Sequence, residues 1–182
     1  MSASNFARAL AYVWRPENDG QQLHTTPGDA GGSTRLGVTF TNFTAWRRAH
    51  GQPAPTLADF AAADQAELIA LIRAWIWRPC GGDDLTTGVD LVVFEAAFGS
   101  GAYAAVHELQ GVLGVTQDGQ CGPVTLAAAA AVPAVDRVQR FIAARQAWVD
   151  GLGDAEFQRG WDARIKRDQA EALAWIAGEA AG

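Results

Sequence analysis

The sequence predicts an all-α fold, a mainly helical bundle with one long polar loop and a small β element near residues 18–40. Three observations predict it. Apolar residues recur at three- and four-residue spacing through most of the chain. Helix start and stop signals punctuate those stretches. Residues 17–39 lack the helical pattern and are rich in Gly, Thr, Asp and Pro.

Phe6, Leu10, Val13 and Trp14 share one face of a first helix, which Ser4 is placed to cap. Pro16 lacks an N–H and disfavours helix at Arg15, so the helix ends or kinks there. A non-helical stretch as long as the one that follows is usually functional in a compact domain. It reads as a loop with short β pieces, ending in the strand-like Gly37-Val38-Thr39-Phe40. Helices resume near residue 41 and stop at Gly51. Thr56 with Asp59 opens a short helix as a capping box. Asp64 with Glu67 opens a longer one, whose apolar face is Leu68, Leu71, Ile72 and Trp75. Thr87 with Asp90 opens the next, carrying Val89, Val92, Val93 and Ala96, and Gly99-Ser100-Gly101 ends it. Val106, Leu109 and Leu113 mark a helix over about 102–113, and Gly122-Pro123 begins another with proline at its first position. Two long helices finish the chain. One carries Val135, Val138, Ile142 and Val149; the other carries Phe157, Trp161, Ile165, Ala172 and Ile176. Solenoid periods are absent.

At 182 residues and 49% hydrophobic, the chain has material for a true core. Seven Trp and eight Phe supply rings for a sugar-binding cleft as well as for packing. A net charge of −6 argues against nucleic acid, which needs a basic stripe, and against a basic membrane anchor. It also denies the protein long-range attraction to an anionic wall. No stretch reaches the roughly 18 apolar residues of a membrane span. The N-terminus is too short and polar for a secretory signal. Cys80 and Cys121 match no metal or redox spacing. They are either two unrelated thiols or a disulfide between two loops, which would imply an oxidising compartment. His24, His50 and His107 are scattered, so no metal or other cofactor is expected.

Glu17 lies just past the first helix and continues its apolar face, three residues from Trp14 and seven from Leu10. A carboxyl desolvated there has a raised pKa. A glycosidase acid needs this, because it must hold a proton for the leaving oxygen. The position equally suits a solvated glutamate at a helix end. Asp29 stands in Asp29-Ala30-Gly31-Gly32-Ser33-Thr34, where glycines let a backbone approach a polysaccharide closely. Asp29 is also an ordinary turn former. Thr34 and Thr39 are placed to hold an attacking water or an acetamido group.

Taken together, these residues resemble glycoside hydrolase family 108, the lysozyme-like muramidases of phages and bacterial secretion systems. The family's helix and Glu-Gly-Gly-Tyr motif look like Val13-Trp14-Arg15-Pro16-Glu17-Asn18-Asp19, with Asn18-Asp19-Gly20 in place of Gly-Gly-Tyr. Its Asp-Pro-Gly-Gly-Ala-Thr loop and Gly-Ile-Thr strand look like residues 29–34 and Gly37-Val38-Thr39. Ile76-Trp77-Arg78-Pro79 and Phe94-Glu95-Ala96-Ala97-Phe98-Gly99-Ser100-Gly101 match its later motifs. In the second half, Leu109-Gln110, Asp118-Gly119, Gly122-Pro123-x-Thr125-Leu126 and Arg159-Gly160-Trp161-x-x-Arg164 resemble a peptidoglycan-binding region.

The resemblance implies a lysozyme-like catalytic region over 1–87 and a helical peptidoglycan-binding region over 88–182, packed as one compact unit. It implies that Glu17 is the catalytic acid, with Asp29 the second acidic candidate. Thr34, Thr39, Trp77, Glu95 and Ser100 are then substrate-binding. The implied reaction is hydrolysis of the β-1,4 bond between N-acetylmuramic acid and N-acetylglucosamine. The changed motif after Glu17 keeps a second reading open, a non-catalytic wall-binding or structural component of a phage tail or secretion apparatus. The expected partner is bacterial peptidoglycan, met by a monomer in the periplasm or wall after export by a holin or secretion machinery. Nucleic acid and membrane insertion are not expected.

Overall fold

The computed structural model describes residues 5–15, 24–25, 33–153 and 157–180. Contacts divide the chain into two compact units, Ala7–Trp75 and Met1–Phe6 with Ile76–Gly182. The division at Trp75 falls earlier than the 87/88 line drawn from the motifs.

The first unit takes most of α1 (Phe6–Val13), then β1 (His24–Thr25), β2 (Ser33–Arg35) and β3 (Val38–Thr39). The helices α2 (Phe40–Ala49), α3 (Leu57–Ala61) and α4 (Gln65–Ile72) follow. The strands form an antiparallel sheet in the order β1-β2-β3. The β2–β3 turn places both Leu36 (φ 53°) and Gly37 (φ 78°) in the left-handed region. That is the backbone a two-residue hairpin turn requires, and it is costly for a leucine. Leu36 is buried, and its carbonyl accepts a hydrogen bond from Trp14 Nε1 at 3.0 Å, which ties the end of α1 to the turn. Thr39 caps α2 by accepting from the Asn42 N–H at 3.1 Å. Phe43 and Phe60 meet at 5.0 Å in the core of this unit.

The capping box at Thr56 and Asp59 forms as expected. At α4, Asp64 caps the Ala66 N–H, while Glu67 turns away to pair with Arg47 at 2.8 and 2.6 Å. After α4 the helix widens to a π turn over Arg73–Trp77. The extra residue in the turn rotates Ile76 and Trp77 onto the buried side, whereas Trp75 stays half-buried.

The second unit is a helical bundle of α5 (Val89–Ser100), α6 (Ala102–Leu113), α7 (Pro123–Ala130), α8 (Ala134–Leu152) and α9 (Gln158–Ala180). Its central helix is α5, buried without interruption from Val89 to Phe94 and packed on α6, α8 and α9. Trp77 fills the space beside it, with its ring 5.5 Å from Phe6 and 5.2 Å edge-on to Phe94. A Cβ on Gly82 would come within 2.3 Å of that indole, so a glycine is required there.

The expected cap at Thr87 and Asp90 does not form. Gly88 (φ 84°) is the N-cap and makes no side-chain bond. The reason is burial, since both polar side chains are drawn into a tertiary network. Asn5 Nδ2 donates to Thr87 Oγ1 and to Asp90 Oδ2, each at 2.8 Å, and Thr87 donates to Glu179. On the last two helices Val138, Ile142, Val149, Ile165 and Ala172 are buried as expected. Val135 and Phe157 are exposed instead, and Trp175, at 1% exposure, fills the core.

Between α6 and α7 the buried Gln110 closes the loop. Its Nε2 reaches Asp118 Oδ1 at 2.6 Å, and the Gln120 carbonyl and Thr125 Oγ1 at 3.0 Å. Its Oε1 accepts from the Gly119 N–H at 2.8 Å.

Candidate active site

Glu17 and Asp29, the two acidic candidates, lie outside the described residues. The elements on either side of them are described. α1 ends with the Trp14 bond to Leu36 and with the Arg15 guanidinium 3.7 Å above the Tyr12 ring. β2 begins at Ser33, and Arg35 donates to the Ala63 carbonyl at 2.7 Å.

The sheet brings two of the candidates together. Thr34 and Thr39 are direct partners across β2 and β3. Partners in this register project from the same face, with Cβ atoms about 5 Å apart. Thr39 spends one acceptor site on capping α2 and keeps its hydroxyl proton. Beyond Thr39 an open groove of about 840 Å³ follows α2, lined by Phe40, Thr44, Arg48 and Gln52 among others. A sugar-sized ligand fits that volume.

In the second unit the candidates separate. Trp77 is wholly buried, and its Nε1 donates to Asp83 Oδ1 at 2.7 Å. It therefore offers no face to a sugar, and its position is a core position. Glu95 and Ser100 both lie on α5, and Glu95 belongs to a groove of about 190 Å³, lined also by Gly99, Arg145, Trp148, Trp161 and Arg164, while Ser100 is not part of its lining. Glu95 faces Arg164 at 3.7 Å, which joins the Phe94–Gly101 motif to the Arg159–Arg164 motif. Ser100 donates to the Ala96 carbonyl at 2.8 Å and stands 3.4 Å from Arg145 Nη1.

Sequence reasoning missed Arg145, Glu108 and Trp148. Arg145 pairs with Glu108 at 3.5 Å and lies 4.3 Å above the Trp148 ring. Desolvation pushes the Glu108 carboxyl upward, and the neighbouring Arg145 charge opposes that. The Arg145/Trp148 spacing fits one helix face, but Glu108 is on another helix and no local signal announces the pair.

In the second-half motif that resembles a wall-binding region, the polar side chains bond within their own loop. Gln110, Asp118 and Thr125 are bonded to one another and to the loop backbone, so these side chains hold a turn. Among the described residues no group of three His, Cys, Asp or Glu could hold a metal ion. None of the described helices is long and apolar enough to cross a membrane.

The family model of glycosyl hydrolase 108 matches residues 16–101, a span that includes every candidate site residue. The solved structure of SagA from Brucella abortus is similar over almost the whole chain. Its TM-score is 0.82 at 35% identity, with 94% of this chain and 95% of that chain covered. No curated protein matches. On the family model and this near-complete likeness, the chain belongs to glycosyl hydrolase family 108.

Proposed function

We propose that the protein is a peptidoglycan hydrolase of the muramidase type, cleaving the β-1,4 bond between N-acetylmuramic acid and N-acetylglucosamine. The observation that carries this reading is the family match, which begins at residue 16 and so takes in Glu17. Glu17 donates its proton to the glycosidic oxygen as an oxocarbenium-like sugar forms. Asp29, or a water held between the hydroxyls of Thr34 and Thr39, acts on the opposite face. The facing of those two threonines across the sheet supports the water route.

Bacterial peptidoglycan is the proposed partner and the periplasm or wall the proposed place of action. In the second unit the groove with Trp148, Trp161 and the two arginines is the surface best suited to wall contact, since the Gln110 motif is occupied. Glu95 serves there as a binding residue, Ser100 steadies Arg145 beside it, and Trp77 supports α5 from beneath.

Mass spectrometry of the products of purified peptidoglycan tests the bond assignment. Fragments with N-acetylmuramic acid at the reducing end are expected. Reducing-end N-acetylglucosamine or cleaved stem peptides would contradict it. Binding without any product would favour the wall-binding reading, which the replacement of Gly-Gly-Tyr by Asn18-Asp19-Gly20 also favours.

A further inference from the structure

We propose that Cys80 and Cys121 are a redox-active pair that closes to an intramolecular disulfide, joining the turn after Trp77 to the Gln110 loop. The two thiols are distant in sequence, and the fold brings them side by side. A Cβ built on Gly81 would stand 2.4 Å from Cys121 Sγ and 3.3 Å from Cys121 Cβ. Gly81 is the residue after Cys80, with its Cα about 3.8 Å from that of Cys80. The Cys121 sulfur thus rests against the backbone of Cys80's neighbour, and only a residue without a side chain leaves it that room.

The backbone on both sides can make the remaining adjustment. Gly81 (φ 80°) and Gly82 follow one cysteine, and Gly119 (φ 71°) and Gly122 flank the other. A disulfide asks for a Cα separation of about 5.5–6 Å, a demand that turns with glycines meet more readily than helices do. Cys80 donates only a weak bond to the Trp77 carbonyl at 3.2 Å. Both are free thiols here. Burial raises both thiols, Cys121 to about 11 with Asp84 adding to it, and the nearby Cys121 raises Cys80 further.

Their burial assigns the order of reaction. Cys121 is half-buried and Cys80 wholly buried. With a small disulfide such as oxidised glutathione, the Cys121 thiolate attacks one sulfur, forms a mixed disulfide and expels one glutathione thiolate. Cys80 then loses its proton and attacks the Cys121 sulfur. The Cys80–Cys121 bond forms as the second glutathione leaves. The protein dithiol is oxidised and one glutathione disulfide is reduced to two thiols. In a reducing cytoplasm the pair stays open, and an oxidising compartment closes it. The chemistry is independent of the proposed hydrolase activity, which bears only on where the oxidant is met.

The test incubates the folded full chain with oxidised glutathione, then denatures it, alkylates remaining thiols and maps the peptides. The expected product has lost two hydrogens, carries no glutathione, links the Cys80 and Cys121 peptides and melts about 5–10 °C higher. Dithiothreitol should reverse the change. Cys80→Ser should trap glutathione on Cys121, which shows that the first step is sound where the second cannot occur. A wild type that retains glutathione on Cys121 with Cys80 still alkylatable would overturn the proposal. So would two unreacted thiols, or bonds only between molecules.

Discussion

Asp90 shows how far one residue's surroundings can redirect its chemistry. It is 2% exposed, and desolvation lifts its carboxyl to about 6, although Asn5 and the Leu91 N–H both donate to it. An unfolded aspartate titrates near 3.9. Between those values the folded chain holds a proton that the unfolded chain has lost. Stability from this group is therefore fully present below about pH 4 and is lost as pH rises through 6. The loss is roughly 2–3 kcal/mol. Asp90→Asn removes the titration. In urea unfolding, the stability of the variant relative to wild type should grow by that amount from pH 4 to 7 and then level off. A difference that stays constant with pH would contradict the assignment. No local signal announces this, because Thr-x-x-Asp stands at the head of both α3 and α5 with the same spacing. At Thr56 and Asp59 the segment is exposed and the residues bond to their own helix end. At Thr87 and Asp90 both are buried, and Asn5 and Glu179 take them over. Only tertiary context separates the two cases.

At the scale of elements, the helices were legible because their apolar spacing and boundaries are local properties. Gly51, Gly114 and Gly153 lie in the left-handed region at helix ends, and Pro123 starts α7. The π turn was not legible, since five apolar-rich residues in Arg73–Trp77 fit an ordinary helix as well. The loop between α6 and α7 was legible as a turn, but its organising residue was not. Gln110, 1% exposed, satisfies the loop from inside. Gln110→Leu keeps the volume, strands the Gly119 N–H and removes one donor each from Asp118 and Thr125, which keep their bonds with Gln120. A loss of about 2–3 kcal/mol is expected in urea unfolding, with the slope unchanged. A loss under about 0.5 kcal/mol would mean that the network adds little.

For the whole molecule, family membership and fold agree, and the order of motifs along the chain was the strongest signal of both. The site was legible in parts. Thr34 and Thr39 could be paired only once register was known, and register depends on the Leu36-Gly37 turn. Glu95 does line a groove, but the arginines beside it come from helices far along the chain, and Ser100 touches one of them only at 3.4 Å. Trp77 resembled a cleft residue by motif and is a core residue by packing. The catalytic reading itself comes down to one proton on one carboxyl group. Reducing-sugar release from purified peptidoglycan, compared between wild type and Glu17→Gln at matched helical circular dichroism, tests it most directly. The variant is expected to lose nearly all release, by about a thousandfold or more. Equal release by the two proteins would contradict it.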